Sequence, residues 1–238
     1  MSQFDRIFSG VGLLLDCLFP VRCTACHEPL ANGPLCERCR AFLRLDGPAC
    51  HRCGAPTSQP IAECGQCRRL AKSVFQARSH FRLTDEASRF WHLVKFGRWH
   101  EQLRHIENIL EDVAVPFSGL PPDAALVPVP LSKRSLLNRG FNQSGNLAEI
   151  LSKQWNIPII ERGLIKPRDT PPQSTLGKTA RARNLAGAFE WDPIYQCGHT
   201  VVLVDDVFTT GATLSEGANT LAKAGCSVVY GWTLFRAL

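Results

Sequence analysis

The chain has 238 residues, and its 27 lysines and arginines against 21 aspartates and glutamates give a formal net charge of +6. Hydrophobic residues make up 45 % and charged residues 20 %, which excludes a disordered or fibrous chain and fits one or two globular domains. Eight of the 11 cysteines lie between Cys23 and Cys67, so a cysteine-dense head precedes a cysteine-poor body.

Residues 1–20 predict an amphipathic helix. Apolar side chains recur at helical spacing from Phe4 to Leu18, which favours a helix packed on the protein's own core, with a helix on a membrane surface as the alternative. The apolar run is too short for a membrane span, and no signal-peptide cleavage site follows it. We therefore expect no membrane span and a cytoplasmic location, where clustered cysteines stay reduced and usually bind metal.

Residues 21–72 contain four C-x-x-C pairs, separated by nine, ten and ten residues. Each pair places two thiolates on one side of a tight turn, and two pairs complete a tetrahedral shell for Zn²⁺. The short loops cannot bury a core of their own, so metal binding would supply the missing stability. The pattern predicts a double zinc ribbon with two structural Zn²⁺ ions. The predicted ligands are Cys23, Cys26, Cys36, Cys39, Cys50, Cys53, Cys64 and Cys67.

Two pairings of these cysteines fit the sequence. Sequential pairing puts the first two C-x-x-C pairs on one ion and the last two on the other, and we favour it because short loops cost less entropy to close. In the cross-braced alternative, the first pair joins the third and the second joins the fourth. An iron–sulfur cluster is a further alternative, although ribbon-like spacing suits zinc better.

Residues 73–238 alternate apolar strands with amphipathic helices, which indicates an α/β fold with a parallel sheet flanked by helices. The polar, basic segment 166–184 predicts a loop. The predicted strands cover 75–83, 124–130, 200–205 and 226–235, and the predicted helices cover 85–96, 100–113, 142–155 and 213–224.

The most specific motif is V-D-D-V-F-T-T-G-A-T at residues 204–213. An apolar strand delivers Asp205 and Asp206 at its carboxyl end, where open α/β sheets bind ligands. The loop N–H groups and the following helix N-terminus can hold one phosphate, and the two carboxylates can accept hydrogen bonds from two vicinal hydroxyls. Together they describe a site for a ribose 5-phosphate. The predicted phosphate-binding residues are Thr209, Thr210, Gly211, Ala212 and Thr213.

Two basic segments supply charge for a polyanionic ligand. One follows the V-P-V-P strand and turns into a helix, an arrangement suited to hold a multiply charged phosphate group. The other is the loop 166–184, which can close over the same group and exclude water. A plain solvated loop is the alternative for each. The residues predicted to contact the polyanionic ligand are Lys133, Arg134, Arg139, Gly140, Arg168 and Arg181.

The acidic motif resembles the phosphoribosyl pyrophosphate (PRPP) signature of type I phosphoribosyltransferases. Over almost the whole chain, the order of motifs is similar to the ComF family, phosphoribosyltransferase-like proteins associated with DNA uptake during natural transformation. The motifs are the zinc ribbons, V-P-V-P, R-G-F-N-Q, R-N-L-x-G-A-F and the acidic motif. The resemblance implies a type I phosphoribosyltransferase-like fold that binds PRPP with Mg²⁺.

The same resemblance implies a mechanism. Asp205 and Asp206 would orient the ribose, the 209–213 loop would bind the 5-phosphate, and Arg139 with the loop arginines would stabilise the departing pyrophosphate. The candidate catalytic residues are therefore Asp205, Asp206 and Arg139. The sequence identifies no acceptor, and it leaves the oligomeric state open.

Two functions remain open on the sequence alone. One is a PRPP-dependent transferase, and the other is a non-catalytic module that binds single-stranded DNA and uses PRPP only as a regulatory ligand. A scaffold that docks on a helicase or another DNA-uptake protein is a weaker hypothesis. The second function rests on basic residues of the head, with Phe42 and Phe75 as stacking surfaces. The basic residues are Arg38, Arg40, Arg44, Arg52, Arg68, Arg69 and Lys72.

Overall fold

The structure, a computed structural model, describes residues 22–23, 26–30, 35–96, 106–107, 109–110, 113–167 and 185–238. The predicted helix at 1–20 and the loop residues Arg168 and Arg181 lie outside the described residues. Backbone contacts divide the chain into two units. The first comprises Met1–Leu43 with Thr84–Glu111, and the second comprises Arg44–Leu83 with Asp112–Leu238.

Two helices belong to the first unit, α1 (Glu37–Leu43) and α2 (Asp85–Phe96). The Thr84 side chain starts α2, because its Oγ1 accepts a hydrogen bond of 3.2 Å from the N–H three residues later. Arg40 Nη2 on α1 donates to the Ile109 carbonyl at 3.0 Å. The bounds predicted for α2 are confirmed. Of the helix predicted over 100–113, residues 106–107 and 109–110 are described and helical, whereas Val113 is described and lies outside a helix.

The second unit is built on a four-stranded parallel sheet with the strand order β1-β6-β5-β2. A short antiparallel pair, β3 with β4, lies apart from it. Residues 200–205 of β5 are all buried, as expected for a parallel sheet covered on both faces. The predicted α/β class, a parallel sheet with flanking helices, is confirmed. The strands are β1 (Val74–Arg82), β2 (Ala125–Pro128), β3 (Leu164–Ile165), β4 (Glu190–Trp191), β5 (Thr200–Phe208) and β6 (Val228–Arg236).

Three helices of the second unit are α3 (Lys133–Arg139), α4 (Gln143–Trp155) and α5 (Ala212–Lys223). α4 packs on β5 and β2, whereas α5 packs on β6, β1 and β5. α5 approaches the sheet closely because a glycine lies opposite it: a Cβ on Gly231 would meet Leu214 Cδ1 at 2.7 Å. This close packing fixes the position of the turn that leads into α5.

Two predictions at the site need correction. β5 was expected to end at Asp205, but it continues to Phe208 because β6 keeps pairing with it there, so both aspartates lie within the strand. Residues 133–139 were expected to form a turn, but they form helix α3. Ser132 Oγ caps that helix by accepting from the Ser135 N–H at 3.4 Å, and Gly140 ends it with a φ of 77°.

In the part of the chain that the structure describes, no helix combines the length and the apolar character that crossing a bilayer requires.

The close approach of α5 to the sheet makes Gly231 sensitive to any side chain. We expect Gly231→Val to lower the free energy of unfolding by about 1–3 kcal/mol, because the added side chain would overlap the buried Leu214 side chain. Gly198→Ala is the matched control, since its Cβ would meet only the Thr200 carbonyl oxygen at 3.8 Å. Urea unfolding measures both variants, and equal stability of the two would contradict this packing.

Candidate zinc centres and anion-binding site

The eight cysteines of the head form two groups of four. In each group, the four Sγ atoms lie within 4.8 Å of one another, and tetrahedral Zn–S bonds place sulfurs about 3.8 Å apart. The first group is Cys23, Cys26, Cys36 and Cys39, and the second is Cys50, Cys53, Cys64 and Cys67. This grouping confirms sequential pairing and contradicts the cross-braced alternative.

The donor chemistry of both groups fits structural zinc, which takes four thiolates in a closed shell. Sulfurs approach directly, with Cys50 Sγ 3.3 Å from Cys67 Sγ and Cys26 Sγ 3.7 Å from Cys36 Sγ. Burial works to raise the pKa of Cys50, but hydrogen bonds from the Cys53 N–H and the Cys67 thiol outweigh it and lower that pKa to about 7. Burial raises the pKa of Cys67. Metal binding would therefore displace protons from this group.

The two groups belong to different units. The cysteines of the first lie in the first unit. In the second group, Cys50, Cys53 and Cys67 are buried and form part of the hydrophobic core of the second unit. The second ribbon also extends to the sheet, because the Ala77 N–H of β1 donates to the Arg52 carbonyl at 2.7 Å. The second centre is therefore a component of the α/β domain.

Asp205 and Asp206 lie in the part of β5 that extends beyond the end of the neighbouring strand β2. The last β2–β5 pair is Pro128 with Val204. Asp205 is only 8 % exposed; its Oδ1 accepts from Ser144 Oγ at 3.2 Å and from the Asp206 N–H at 2.9 Å. The acidic pair thus lies beside the N-terminus of α4.

The R-G-F-N-Q motif also lies at the N-terminus of α4. Asn142 caps α4, since its Oδ1 accepts from the Ser144 N–H at 3.2 Å, and its Nδ2 donates to the Val129 carbonyl at 3.1 Å. Arg139 Nη1 donates to Gln143 Oε1 at 3.1 Å. The adjacent residues Gln143 and Ser144 therefore hold Arg139 and Asp205 at one helix end.

Sequence reasoning missed the roles of Gln143 and Ser144, which are 2 % and 4 % exposed. Arg139 occupies the Gln143 oxygen, and the buried Gln143 Nε2 has no hydrogen-bond partner. A buried donor without a partner costs about 1–3 kcal/mol, so this amide suits a ligand oxygen. The available sequence signal was the position of Asn142, a capping residue that places the next two side chains on the first helical turn.

The predicted phosphate-binding residues follow directly in the chain. Gly211 begins α5 with a φ of 78°, and a Cβ there would lie 2.9 Å from Leu70 Cδ1 and 3.0 Å from Phe208 Cζ. The position therefore requires glycine in both conformation and space. Thr210 Oγ1 accepts from the Ala212 N–H at 3.3 Å. The first-turn N–H groups of a helix have no acceptor within the helix, which makes this end of α5 suited to an anion.

The predicted basic residues do not all lie at the N-terminus of α4. Arg139 contacts the N-terminus of α4, as described above. Lys133 and Arg134 are exposed on the first turn of α3, and Gly140 is exposed after its end.

A separate open cleft of about 710 Å³ lies between the β4 region and α5, lined by residues that include Trp191, Glu216 and Lys223. Of the predicted site residues that the structure describes, none lines that cleft.

We expect two zinc ions per chain. Cys53→Ser, which removes a buried thiolate from the second group, should leave about one zinc and lower the melting temperature, because three ligands no longer close the shell. Cys197→Ser, at a half-buried cysteine outside both groups, should keep both ions. Zinc released per chain under denaturing conditions provides the measurement, and two retained ions in Cys53→Ser would contradict the assignment.

Comparison with known proteins agrees with this architecture. A family model described as a double zinc ribbon domain matches residues 14–68. The DNA utilization protein YhgH of Escherichia coli (strain K12) is 33 % identical over 224 residues, covering 92 % of this chain and 98 % of that protein. The competence protein ComFC of Bacillus subtilis (strain 168) is 32 % identical over 213 residues, with 85 % and 84 % covered. Competence protein F of Haemophilus influenzae (strain ATCC 51907 / DSM 11121 / KW20 / Rd) is 36 % identical over 118 residues, about half of each chain. Similarity of this extent, on a chain with two zinc ribbons and a parallel α/β sheet, shows that the chain belongs to the ComF family.

Proposed function

We propose that this chain is a PRPP-binding, phosphoribosyltransferase-like protein of DNA uptake that transfers the phosphoribosyl group to an acceptor still to be identified. The observation that carries the proposal is the buried Asp205 carboxylate, held by Ser144 on a strand that leads straight into the Gly211 turn. Carboxylates that accept from hydroxyls, followed by a helix N-terminus that donates to phosphate, match the two ends of a ribose 5-phosphate.

The names of the relatives support the biological setting. The E. coli protein is called a DNA utilization protein, and those of B. subtilis and H. influenzae are called competence proteins. These names state DNA utilization and competence, and on that basis we propose a role in DNA uptake for this chain.

The chemistry assigns a role to each group. The C1–O bond to pyrophosphate breaks, the bond electrons leave with pyrophosphate, and the acceptor supplies the pair that forms the new bond at C1. Asp205 and Asp206 accept hydrogen bonds from the ribose hydroxyls and hold the ring in place. Arg139, fixed by Gln143, stabilises the charge that develops on the leaving group. Mg²⁺, when bound, neutralises pyrophosphate charge.

Gln143 is a further residue of this site, one whose role the sequence did not predict. Because Arg139 occupies its oxygen, the Gln143 amide presents Nε2 as a donor, and we assign that donor to an oxygen of the pyrophosphate. Lys133 and Arg134, exposed one to two turns before Arg139, contribute long-range attraction for the polyanion. Arg168 and Arg181 belong to the loop 166–184, which we propose closes over the pyrophosphate and excludes water.

The test uses ligand-induced stabilisation. PRPP with Mg²⁺ at about 100 times its Kd should add about 2.7 kcal/mol of stability and raise the melting temperature by several degrees. Asp205→Asn combined with Asp206→Asn should abolish this shift, because the neutral amides no longer match the ribose hydroxyls. Asp123→Asn, at an exposed carboxylate in the turn before β2, is the control and should keep it. A full shift in the double variant would overturn the site assignment.

A second function, binding of single-stranded DNA, is favoured by one surface of the second unit. Phe75 is 61 % exposed on β1, and three exposed cations precede it closely in the chain. An exposed ring provides base stacking, and exposed cations close to it in the chain provide phosphate contacts. Arg52 does not belong to this surface, since it donates to Glu63 and to the Leu70 and Ala71 carbonyls. The exposed cations are Arg68, Arg69 and Lys72.

Salt dependence tests this second function. Replacing Arg68, Arg69 and Lys72 with glutamine should reduce the slope of log affinity against log salt by about 2, because each lost phosphate contact on single-stranded DNA contributes about 0.7. Fluorescence anisotropy of a labelled oligonucleotide at several salt concentrations measures the slope. Arg162→Gln, at an exposed arginine before β3, is the matched control. An unchanged slope in the triple variant would exclude this surface.

A further inference from the structure

Arg236, the last residue of β6, is a charged side chain with 0 % exposure. Its Nη1 donates to the Cys53 carbonyl at 2.7 Å, and its Nη2 donates to Gln66 Oε1 at 2.9 Å. The same Nη2 lies 3.5 Å from Cys53 Sγ. A buried guanidinium is stable only beside compensating negative charge. The thiolate shell of the second zinc group is such a charge.

The charge balance supports this pairing. Four thiolates around one Zn²⁺ leave a formal excess of two negative charges. Arg78 on β1 supplies a second cation close to the same ribbon: its Nη1 donates to the His51 carbonyl at 2.9 Å, and the cysteines of the second group act on it electrostatically. Groups that hydrogen-bond to ligand atoms orient those ligands and tune the metal. Arg236 therefore belongs to the outer shell of this zinc centre.

The Arg236 guanidinium also contacts Phe208, the first residue of the 208–213 turn. Its Cζ lies 4.1 Å from the centroid of the Phe208 ring, a cation–π contact. Phe208 is the last residue of β5, and its ring packs against Gly211, with Cζ 3.0 Å from the position of a Cβ there. One side chain thus touches the zinc ligand Cys53 and the ring that supports the turn.

Two further hydrogen bonds join the end of the second ribbon to α5. The Ala71 N–H donates to Ser215 Oγ at 3.0 Å, and Ser73 Oγ donates to Asn219 Oδ1 at 2.7 Å. Leu70 fills the space beside Gly211. The ribbon and the first turns of α5 therefore form one packed body, in which disorder on one side removes contacts from the other.

We infer that Arg236 is a positioning residue that couples the second zinc centre to the 208–213 turn through Phe208. Zinc bound to Cys50, Cys53, Cys64 and Cys67 orders the turn, and an anion bound on the turn in return strengthens zinc binding, because coupling between the affinities of two sites is reciprocal. The inference rests on the proposed function for the identity of the anion alone.

Hydrogen exchange on the full chain tests the coupling without any ligand. Chelation of zinc should speed exchange of amides in 208–215 by about tenfold or more, the scale of outer-shell effects at metal sites, while β2 and α4 change by less than about twofold. Phe208→Leu leaves the Cys53 contacts in place. In that variant the turn should already exchange fast with zinc bound, and chelation should add little.

The variants separate the alternatives. Arg236→Met should behave like Phe208→Leu at the turn and should also lose zinc faster. Arg236→Lys, which keeps the charge, should restore part of both. Phe117→Leu, at a buried ring that contacts Tyr230, is the matched control and should respond as the unaltered chain does. An unresponsive turn in the unaltered chain, a normal response in Phe208→Leu, or equal deprotection of β2 and α4 would each overturn the coupling.

Zinc affinity in the presence of PRPP and Mg²⁺, measured by competition with a chelator, completes the test. Saturating ligand should raise the zinc affinity of the second group by about threefold or more in the unaltered chain and leave it unchanged in Phe208→Leu. An equal rise in both would contradict the route through Phe208. If PRPP does not bind to the unaltered chain, the proposed function fails, and the hydrogen-exchange result still decides the coupling.

Discussion

The structure depends on the unequal lengths of the two strands that flank β5. On one side, β6 pairs with β5 as far as Phe208, and on the other side β2 stops at Pro128. β5 therefore stays extended beyond Val204, although β2 no longer pairs with it there. α4 enters beside that edge, which places Ser144 against Asp205. The acidic pair, the Gly211 turn and the Arg139 side chain all take their positions from this one asymmetry.

Zinc has two different structural contexts in this chain. The second group of cysteines lies in the hydrophobic core of the α/β unit and contacts the 208–213 turn through Arg236 and Leu70. A short, loop-rich ribbon has little apolar surface of its own, so the metal provides the stability that a larger core would otherwise supply. Because the second ribbon is hydrogen-bonded to β1, that stability extends to the residues assigned to ligand binding.

Sequence reasoning succeeded where a local pattern determines the structure. The bounds of α2, and those of α4 and α5 to within one residue, follow from capping residues and helical spacing, and the zinc pairing follows from loop length. The end of β5 could not be predicted, because only the pairing with β6 keeps Asp206 in a strand. Nor could the roles of Ser144 and Arg236, since each depends on a partner more than 50 residues away. The role of Gln143 depends on Arg139, four residues earlier at the end of α3, and the capping position of Asn142 was the available signal for it. Helix α3 was predictable, because Ser132 and Gly140 are ordinary capping signals.

The central claim is that Asp205, Asp206 and the 209–213 turn bind one ribose 5-phosphate. The most direct measurement is an experimental structure of the chain with PRPP and Mg²⁺. Our account predicts the 5-phosphate within hydrogen-bond distance of N–H groups of residues 209–213, with the ribose hydroxyls on the Asp205 and Asp206 carboxylates. PRPP bound elsewhere, for example in the cleft between the β4 region and α5, would contradict it.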